Sequence, residues 1–334
     1  MKTITITDVA KHANVSKSTV SQFLNKRYDY MSVKTKKRIE EAVEELGYTP
    51  NFVARSLKQK STSTIGVIVA NILHAFSTQV IRAIEDVCNE DDFHIIVCNA
   101  DDEPEKEKKY IEMLLAKQVD GLIIFPTGDN LDLYQGMVEK NFPVVFVDRM
   151  VSNVPITTVL LDNEQSSRLA VDYLVSKGYT QMGIITPPII RNVTPRVERL
   201  NAFKKSLQEF GIQINESYIK SLDVQQIKHE LEKMHARKMF PQALLAANDL
   251  ALVEILKFAK ENHIKIPTDV AVIGIDDVNF ASFYSPPLTT IAQPSFEIGT
   301  KAAKVLLDKI RDKNEVPVQQ IFRLPPKLII RESC

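Results

Sequence analysis

Apolar residues between positions 6 and 25 recur at spacings that two short helices would bury against each other. They form two helical faces, Val9, Ala10 and Ala13 in the first segment and Val20, Phe23 and Leu24 in the second. Thr7 or Asp8 is the predicted N-cap of the first helix, and Ser16 that of the second. Asn14 tolerates the left-handed conformation of a tight turn, and Val15 would fill the corner. The pattern predicts a helix-turn-helix.

The opposite face of the second helix carries polar arms of a length that fits a DNA major groove. We predict that this face reads bases through Lys17, Ser18, Ser21 and Gln22. An ordinary αα-hairpin shows the same hydrophobic spacing, so the motif alone leaves both interpretations open. The next segment favours DNA, because Ser32 caps a third helix that begins with a basic run and ends at Gly47. Phosphate contacts are assigned to Thr7, Ser16, Thr19, Asn25, Lys34, Lys36 and Lys37.

From Thr64 onward, short apolar strands alternate with amphipathic helices, which is the pattern of βαβ units. One set of strands reads IGVIVA, FHIIVCN, GLIIF and VVFVD, and a second set reads MGIIT, ALLAA and VAVIGID. Helices are predicted over 80–88, 110–115, 167–176, 199–210 and 250–261. The body is too long for one sheet of typical size, so two doubly wound parallel sheets are predicted.

Ligands of open α/β sheets bind beyond the carboxyl ends of the strands, and polar residues stand at those positions here. Carboxylate, amide and guanidinium groups would take the hydroxyls of a sugar, while an aromatic ring packs on its face. Taken singly, each residue is more simply explained as a loop cap or a surface charge, but the set favours a binding cleft. The candidates are Phe76, Phe125, Asp148, Arg149, Arg191, Arg196, Arg199, Asn248 and Asp276.

Charge is distributed unevenly along a chain whose net charge is zero. The first 60 residues hold 12 Lys and Arg against 6 Asp and Glu, and the remainder holds 30 against 36. A head of +6 therefore precedes a body of −6, and the head attracts phosphate. With 334 residues and 44% hydrophobic content, the chain is long enough for two or three compact domains.

Several functional classes lack their signatures in this sequence. We find no GxGxxG, GxxxxGKS/T or GxSxG motif, and HELEK at His229 has no second His, so neither an enzyme, a metal nor a cofactor is expected. The start has no apolar run of signal-peptide length, and no later run would span a bilayer. We therefore expect a cytoplasmic protein with no membrane partner. A transport binding protein would need a signal sequence and would not need the first 60 residues. Cys88, Cys98 and Cys334 are expected to be free thiols.

The segments ITDVAKHANVSKSTVSQFLN, TKKRIEEAVEELGYTPN and ARSL resemble the lactose/galactose repressor family of bacterial regulators. The resemblance continues through IGVIV, VDGLIIF, VVFVDR, AANDLAL and VIGIDDVNFASFYSPPLTTIAQP, and so covers essentially the whole chain. The family usually has Gly where Asn14 stands and often Arg where Gln22 stands. The second departure leaves the half-site sequence open, because Gln suits adenine and Arg suits guanine.

The family fold implies an all-α helix-turn-helix head joined by a hinge helix to an α/β, two-lobed body like a periplasmic binding protein. The expected divisions are a DNA-binding domain over 1–49, a hinge helix and linker over 50–62, and an effector-binding and dimerisation domain over 63–334. Lobe 1 is expected to span about 63–161 plus 293–322, and lobe 2 about 162–292 plus 323–334. Hinge helices of relatives pair in the minor groove, a role that falls here on Asn51, Ala54, Arg55 and Leu57.

The resemblance also implies a repressor that binds a pseudo-palindromic operator as a homodimer and releases it on binding a small carbohydrate. Matches to the family's effector contacts are Arg199, Asn248 and Asp276, with Phe76, Asp148 and Gln293 also aligned. Four arginines crowd two strand ends, so the sugar is predicted to carry an acid group. Within the family the chain is most similar to regulators that sense 2-keto-3-deoxygluconate. A neutral sugar, co-repression and control by a protein co-repressor remain alternatives.

Overall fold

The computed structural model describes residues 4–29, 31–49, 61–312 and 319–334. The chain divides into two units, residues 1–62 and residues 63–334, which we call the head and the body. The predicted hinge contacts Asn51, Ala54, Arg55 and Leu57 lie outside the described residues.

Within residues 4–29 and 31–49, the head forms the helices α1 Ile6–His12, α2 Lys17–Leu24 and α3 Val33–Leu46. The prediction that Thr7 or Asp8 caps α1 is wrong, because Thr5 is the N-cap. The backbone N–H of Thr5 donates to the Asp8 carboxylate at 2.9 Å, so Asp8 instead closes a capping box.

The other predicted helix ends of the head are confirmed. The hydroxyl oxygen of Ser16 accepts from the backbone N–H of Thr19 at 3.1 Å, and Ser32 accepts from Thr35 at 3.2 Å. Asn14 turns the chain with a φ of 50°, and Gly47 ends α3 with a φ of 58°.

Three side chains at the crossing of the head helices are fully buried, namely Val9, Val20 and Ile39. Partly buried Val15, Phe23 and Leu24 pack around them. Burying an aliphatic side chain of this size contributes roughly 1.5–3 kcal/mol, so the apolar stripes read from the sequence hold the motif together.

The described residues of the body, 63–312 and 319–334, form two six-stranded sheets. The first sheet is wholly parallel, and its strands are β1 Thr64–Val69, β2 His94–Asn99, β3 Gly121–Ile124, β4 Val144–Val147, β5 Thr158–Leu161 and β11 Ile321–Leu324. They lie side by side in the order β11-β5-β4-β3-β1-β2. The helices of this part are α4 Ala75–Glu90, α5 Pro104–Ala116, α6 Leu131–Glu139 and α11 Ser295–Arg311. We call this part lobe 1.

The second sheet consists of β6 Met182–Thr186, β7 Ile219–Ser221, β8 Ala243–Ala246, β9 Ala271–Ile275, β10 Thr289–Ala292 and β12 Lys327–Ile329. Its spatial order is β12-β10-β9-β8-β6-β7. The helices here, in what we call lobe 2, are α7 Asn163–Ser176, α8 Thr194–Glu209, α9 Val224–Ala236 and α10 Asp249–Glu261. The predicted pair of doubly wound sheets is confirmed, with one antiparallel strand at the edge of the second sheet, where β12 pairs with β10.

Over the residues that the structure describes, the chain passes between the lobes three times. The sequence predicts the last crossing at about 322–323, whereas Arg323 and Leu324 still pair with β5 in the first sheet. The crossing therefore lies at 325–326, where two consecutive prolines separate β11 from β12. In lobe 1, α11 packs closely on α4, because a Cβ at Gly299 would lie 2.6 Å from the Val80 carbonyl oxygen. This contact fixes the returning segment to lobe 1.

Candidate functional site

A cavity of about 60 Å³ lies at the carboxyl ends of strands from both lobes. Its walls are formed by Ala70, Asn71, His74, Phe76, Ser77, Phe125, Asp148, Arg149, Pro195, Arg196, Arg199, Asn248, Asp276 and Gln293. Asn71 follows β1, Asp148 follows β4, and Asp276 follows β9. Typical ligand pockets measure roughly 300–1,000 Å³, so side chains or lobes must move before a sugar can enter this one.

Nine of the ten side chains selected from the sequence line this cavity. Arg191 does not line it. Its guanidinium lies 2.8 Å from the Asp129 carboxylate and donates to the backbone carbonyl of Asp102 at 2.9 Å. Arg191 therefore ties a loop of lobe 2 to lobe 1 and lies outside the cavity wall.

Two buried aromatic rings form the apolar wall of the cavity. The rings of Phe76 and Phe125 meet edge to face, with their centroids 6.3 Å apart. Phe76 lies on α4 and Phe125 directly after β3, so lobe 1 supplies the surface on which a sugar ring would pack.

Arg199 is buried and held by groups of lobe 2. Its Nε donates to the Asn163 side-chain oxygen at 2.9 Å, and its Nη1 donates to the backbone carbonyl of Ala247 at 2.7 Å. Because both acceptors are uncharged, the guanidinium keeps a net positive charge next to Asp276. It is therefore a rigid cationic donor in the cavity wall.

Arg149 of lobe 1 and Arg196 of lobe 2 converge on one carboxylate, that of Asp102. Arg149 Nη2 lies 2.7 Å from Asp102 Oδ1, and Arg196 Nη2 lies 3.2 Å from Asp102 Oδ2. Burial alone raises the pKa of Asp102, but the two guanidinium charges outweigh it and hold the pKa below its ordinary value. Asp102 is therefore an anion that bridges the lobes.

A second contact between the lobes joins His74 to Asp249. His74 Nδ1 lies 2.5 Å from Asp249 Oδ1, and the backbone N–H of Ala75 donates to Asp249 Oδ2 at 2.8 Å. Burial lowers the pKa of His74, yet its hydrogen bond to Asp249 and the negative charges of Asp249, Asp276 and Asp148 raise it overall. Burial and the charge of Asp249 raise the pKa of Asp276 to about 6.

The raised pKa of His74 leads to a pH dependence of body stability. The folded body holds the His74 proton more tightly than the unfolded chain does, so the stability gained from this proton is fully present below about pH 6.5, the ordinary His pKa. This stability is lost as the pH rises through the raised pKa of His74. We expect the melting temperature to fall more steeply between pH 6 and pH 8 in the parent than in His74→Gln, measured by calorimetry. Equal slopes would show that His74 keeps no extra proton in the folded body.

Two polar atoms in the cavity wall are buried without a hydrogen-bond partner. They are Arg149 Nε, a donor, and Gln293 Oε1, an acceptor. Leaving such a group unsatisfied costs roughly 1–3 kcal/mol, so a ligand that satisfies both would recover that energy. A hydroxyl group, which both donates and accepts, has the required chemistry.

Asp102 and His74 were not selected from the sequence, although a signal for Asp102 was available. Asp102 follows β2, where the same rule about strand ends applies. His74 lies in the segment 71–76 after β1, but a lone His there shows no sign of its partner Asp249, 175 residues away.

The DNA-facing candidates lie on the head. Lys17, Ser18 and Gln22 are exposed, whereas Ser21 is half-buried. The Asn25 side chain donates to the Ser21 carbonyl at 2.7 Å. Like the Ser16 hydroxyl, it completes a helix end and has less freedom to bind a phosphate.

The three lysines near the start of α3 differ in their surroundings. Lys36 Nζ lies 4.3 Å from the centre of the Tyr28 ring, and Lys37 lies 3.9 Å from Glu41. Lys34 is exposed in the first turn of α3 and is the better phosphate candidate.

The residues that the structure describes show neither a metal-binding cluster nor a membrane-spanning helix. Within the described parts of the chain, no group of three or more His, Cys, Asp or Glu side chains is placed to hold a metal ion. Over those same residues, no helix has both the length and the apolar character needed to cross a membrane.

Comparisons with known proteins cover both units. Residues 5–51 match the model for bacterial regulatory proteins of the lacI family, and residues 171–334 match a periplasmic binding protein-like domain. The "Probable HTH-type transcriptional regulator EndR" of Paenibacillus polymyxa is 48% identical over 332 residues, which is 98% of both chains. The HTH-type transcriptional regulator KdgR of Bacillus subtilis (strain 168) is 36% identical over 98% of this chain and 97% of its own length. A crystal structure of the Lac repressor dimer bound to operator and the anti-inducer ONPF is 29% identical, with a TM-score of 0.87 over 99% of both chains.

Proposed function

The chain belongs to the lacI family of bacterial regulatory proteins, and we propose that it is a repressor released from its operator by a small carbohydrate that carries an acid group. The observation that carries this proposal is the cavity between the lobes. It combines an aromatic wall, an unsatisfied donor and acceptor, and guanidinium groups from both lobes. We infer that the protein acts as a regulator and not as an enzyme.

The acid group follows from the convergence of Arg149 and Arg196 on a single carboxylate. Two guanidinium groups from different lobes already bind the Asp102 carboxylate at distances of 2.7 and 3.2 Å. Guanidinium forks grip carboxylates bidentately, so the same groups suit the carboxylate of a sugar acid. A ligand held by both lobes favours one arrangement of them, and a shift of that population would release the DNA.

Calorimetric titration of the full-length protein tests the effector class. The probes are 2-keto-3-deoxygluconate and D-galacturonate, with D-galactose as the neutral counterpart. We expect heat of binding for at least one acid and weaker binding of the neutral sugar. Tighter binding of the neutral sugar would contradict the acid group, and binding of no sugar would favour control by a protein co-repressor.

We propose that the head reads one half-site of a pseudo-palindromic operator through Lys17, Ser18, Ser21 and Gln22. In this proposal, residues around α2 and α3 bind the phosphates, and Lys34 is the strongest candidate among them. The minor groove is contacted by Asn51, Ala54, Arg55 and Leu57. Two heads are needed, because one helix-turn-helix with a surplus of six charges binds DNA weakly and with strong salt dependence.

Replacing Gln22 tests the assignment of the base-reading face. Gln pairs bidentately with adenine and Arg with guanine, so Gln22→Arg should change the preferred base at one position of each half-site. The expected discrimination is roughly 1–3 kcal/mol per base, measured by binding to a panel of operator variants. Lys34→Ala is the control, since loss of a phosphate contact weakens all sequences alike. If Gln22→Arg leaves the base preference unchanged, Gln22 does not contact a base edge.

The homodimer contact is proposed to lie on lobe 2. An open apolar hollow of about 490 Å³ lies between α10 and the segment after β9, lined by Val253, Leu256, Lys257, Lys260, Phe280, Phe283, Tyr284 and Ser285. Phe283 at its edge is 75% exposed, which is unusual for a Phe side chain. A second copy of the chain would cover this surface and keep two heads together on one operator.

A further inference from the structure

The Asp102 carboxylate holds one nitrogen each of Arg149 and Arg196, two arginines that line the cavity. Arg149 offers a side fork formed by Nε and Nη2, of which Nε makes no hydrogen bond but lies 3.6 Å from Asp148 Oδ2, and Nη2 is bound to Asp102. Arg196 has Nη1 on the Pro188 carbonyl at 3.0 Å and Nη2 on Asp102. A carboxylate gripped by the Arg149 fork therefore requires the nitrogen that Asp102 now holds.

The two guanidinium groups also need an anion between them. Burial lowers the pKa of Arg196, and the charge of Arg149 lowers it further, so the two cations lie close enough to repel. Asp102 and Asp148 both supply negative charge here, and Asp102 is the carboxylate bound to both guanidinium groups. Removal of the Asp102 carboxylate without a substitute would leave Asp148 alone to balance two positive charges at the cavity.

The Asp102 side chain can leave this position without unfolding its turn. The turn is held by backbone groups, because the Asp102 N–H donates to the Ala70 carbonyl at 2.7 Å and the Asp102 carbonyl accepts from Arg191 at 2.9 Å. The side chain is 30% exposed, so a displaced carboxylate regains water. Rotation of one side chain is enough to free both guanidinium groups.

We propose that Asp102 is an internal carboxylate that competes with the acid group of the effector for Arg149 and Arg196. This inference rests on the proposed acid effector. Binding then exchanges one carboxylate for another, so the charge of the site is conserved and the acid must be abundant enough to displace Asp102. A neutral sugar leaves Asp102 in place, and Asp102 therefore affects the affinity for acids alone.

The test is Asp102→Asn in the full-length protein, because Asn keeps the shape and removes the charge. We expect sugar acids, probed with 2-keto-3-deoxygluconate and D-galacturonate, to bind about tenfold or more tightly than to the parent, since hydrogen bonds to charged groups are among the strongest. Affinity for D-galactose should not change. Asp102→Ser is a second variant with the same expectation, and operator binding reports whether either variant is folded.

Asp129→Asn is the matched control. It removes one carboxylate and one ion pair between the lobes, at Arg191, whose guanidinium does not line the cavity. We expect its affinity for acids to stay at the parent value. If Asp102→Asn binds acids with the same affinity as Asp129→Asn, or more weakly than the parent does, Asp102 does not compete with the effector. Asp102 would then only connect the lobes or hold the two arginines in place. If neither the parent nor Asp102→Asn binds an acid, the acid effector itself is wrong, and the competition is rejected with it.

Discussion

Arg199→Ala is expected to give a repressor that still binds its operator but no longer responds to its effector. Arg199 is buried in the cavity wall and is held by two neutral acceptors. Its charge is therefore available to a ligand. Truncating one partner of a buried, charged hydrogen bond costs roughly 2–5 kcal/mol, which corresponds to about 30-fold or more in effector affinity. The measurement is operator binding with and without a saturating sugar acid.

The variant should also lose stability, and that loss must be separated from the loss of response. Without Arg199, the Asn163 side-chain oxygen and the Ala247 carbonyl lose a buried donor, which costs roughly 1–3 kcal/mol for each acceptor. Arg168→Ala is the control, because Arg168 also carries a positive charge in lobe 2 but is 52% exposed and pairs with Glu209. If the effector concentration that releases the Arg168→Ala control from DNA also releases Arg199→Ala, Arg199 does not bind the effector.

The architecture could be predicted because its determinants are periodic. The stripe of Val20, Phe23 and Leu24 and the strand–helix alternation after Thr64 both repeat at the spacing of the structure they form. The misplaced N-cap of α1 has a local cause. Thr5, Thr7 and Asp8 are all acceptable capping residues, and the reciprocal hydrogen bonds of Thr5 and Asp8 decide between them.

The candidate site was predicted less completely, because strand ends predict which residues converge but not how they pair. The rule about strand ends selected Arg149, Arg196 and Arg191 alike. The sequence does not show that Asp102 neutralises the first two, or that Asp129 draws the third away from the cavity. The pairs of Arg196 and Arg191 join the two lobes, and the Arg149–Asp102 pair joins two strand ends of lobe 1. All three depend on contacts distant in sequence, which no local pattern encodes.

The crossing at 325–326 lies slightly later in the chain than predicted, and this difference has a similar origin. Strand β11 is short, half-exposed and flanked by prolines, so its residues lack the buried apolar run of β1, β3 and β4. Its place in the first sheet is set by pairing with β5, a contact distant in sequence.

Phe283→Asp is expected to convert the dimer into monomers and to weaken operator binding strongly. The exposed ring borders the apolar hollow on lobe 2, and a charge placed there would have to be buried against a second copy of the same surface. Separating the two heads removes the gain from simultaneous binding of both half-sites, which is worth roughly a factor of 100 to 10,000. Sedimentation of the free protein at micromolar concentration and operator titration measure the two effects.

Phe210→Asp serves as the matched control, since Phe210 is also an exposed Phe of lobe 2, lies at the end of α8 and does not line the hollow. We expect this control to remain dimeric with parent affinity for the operator. Effector binding by Phe283→Asp should stay unchanged, because the cavity between the lobes is built within one chain. A dimeric Phe283→Asp with normal operator affinity would move the dimer contact to another face. A monomeric variant with normal operator affinity would instead mean that one head suffices for operator binding. That outcome is physically unfavourable at high salt, because binding that depends on the six surplus charges of one head weakens as salt is added.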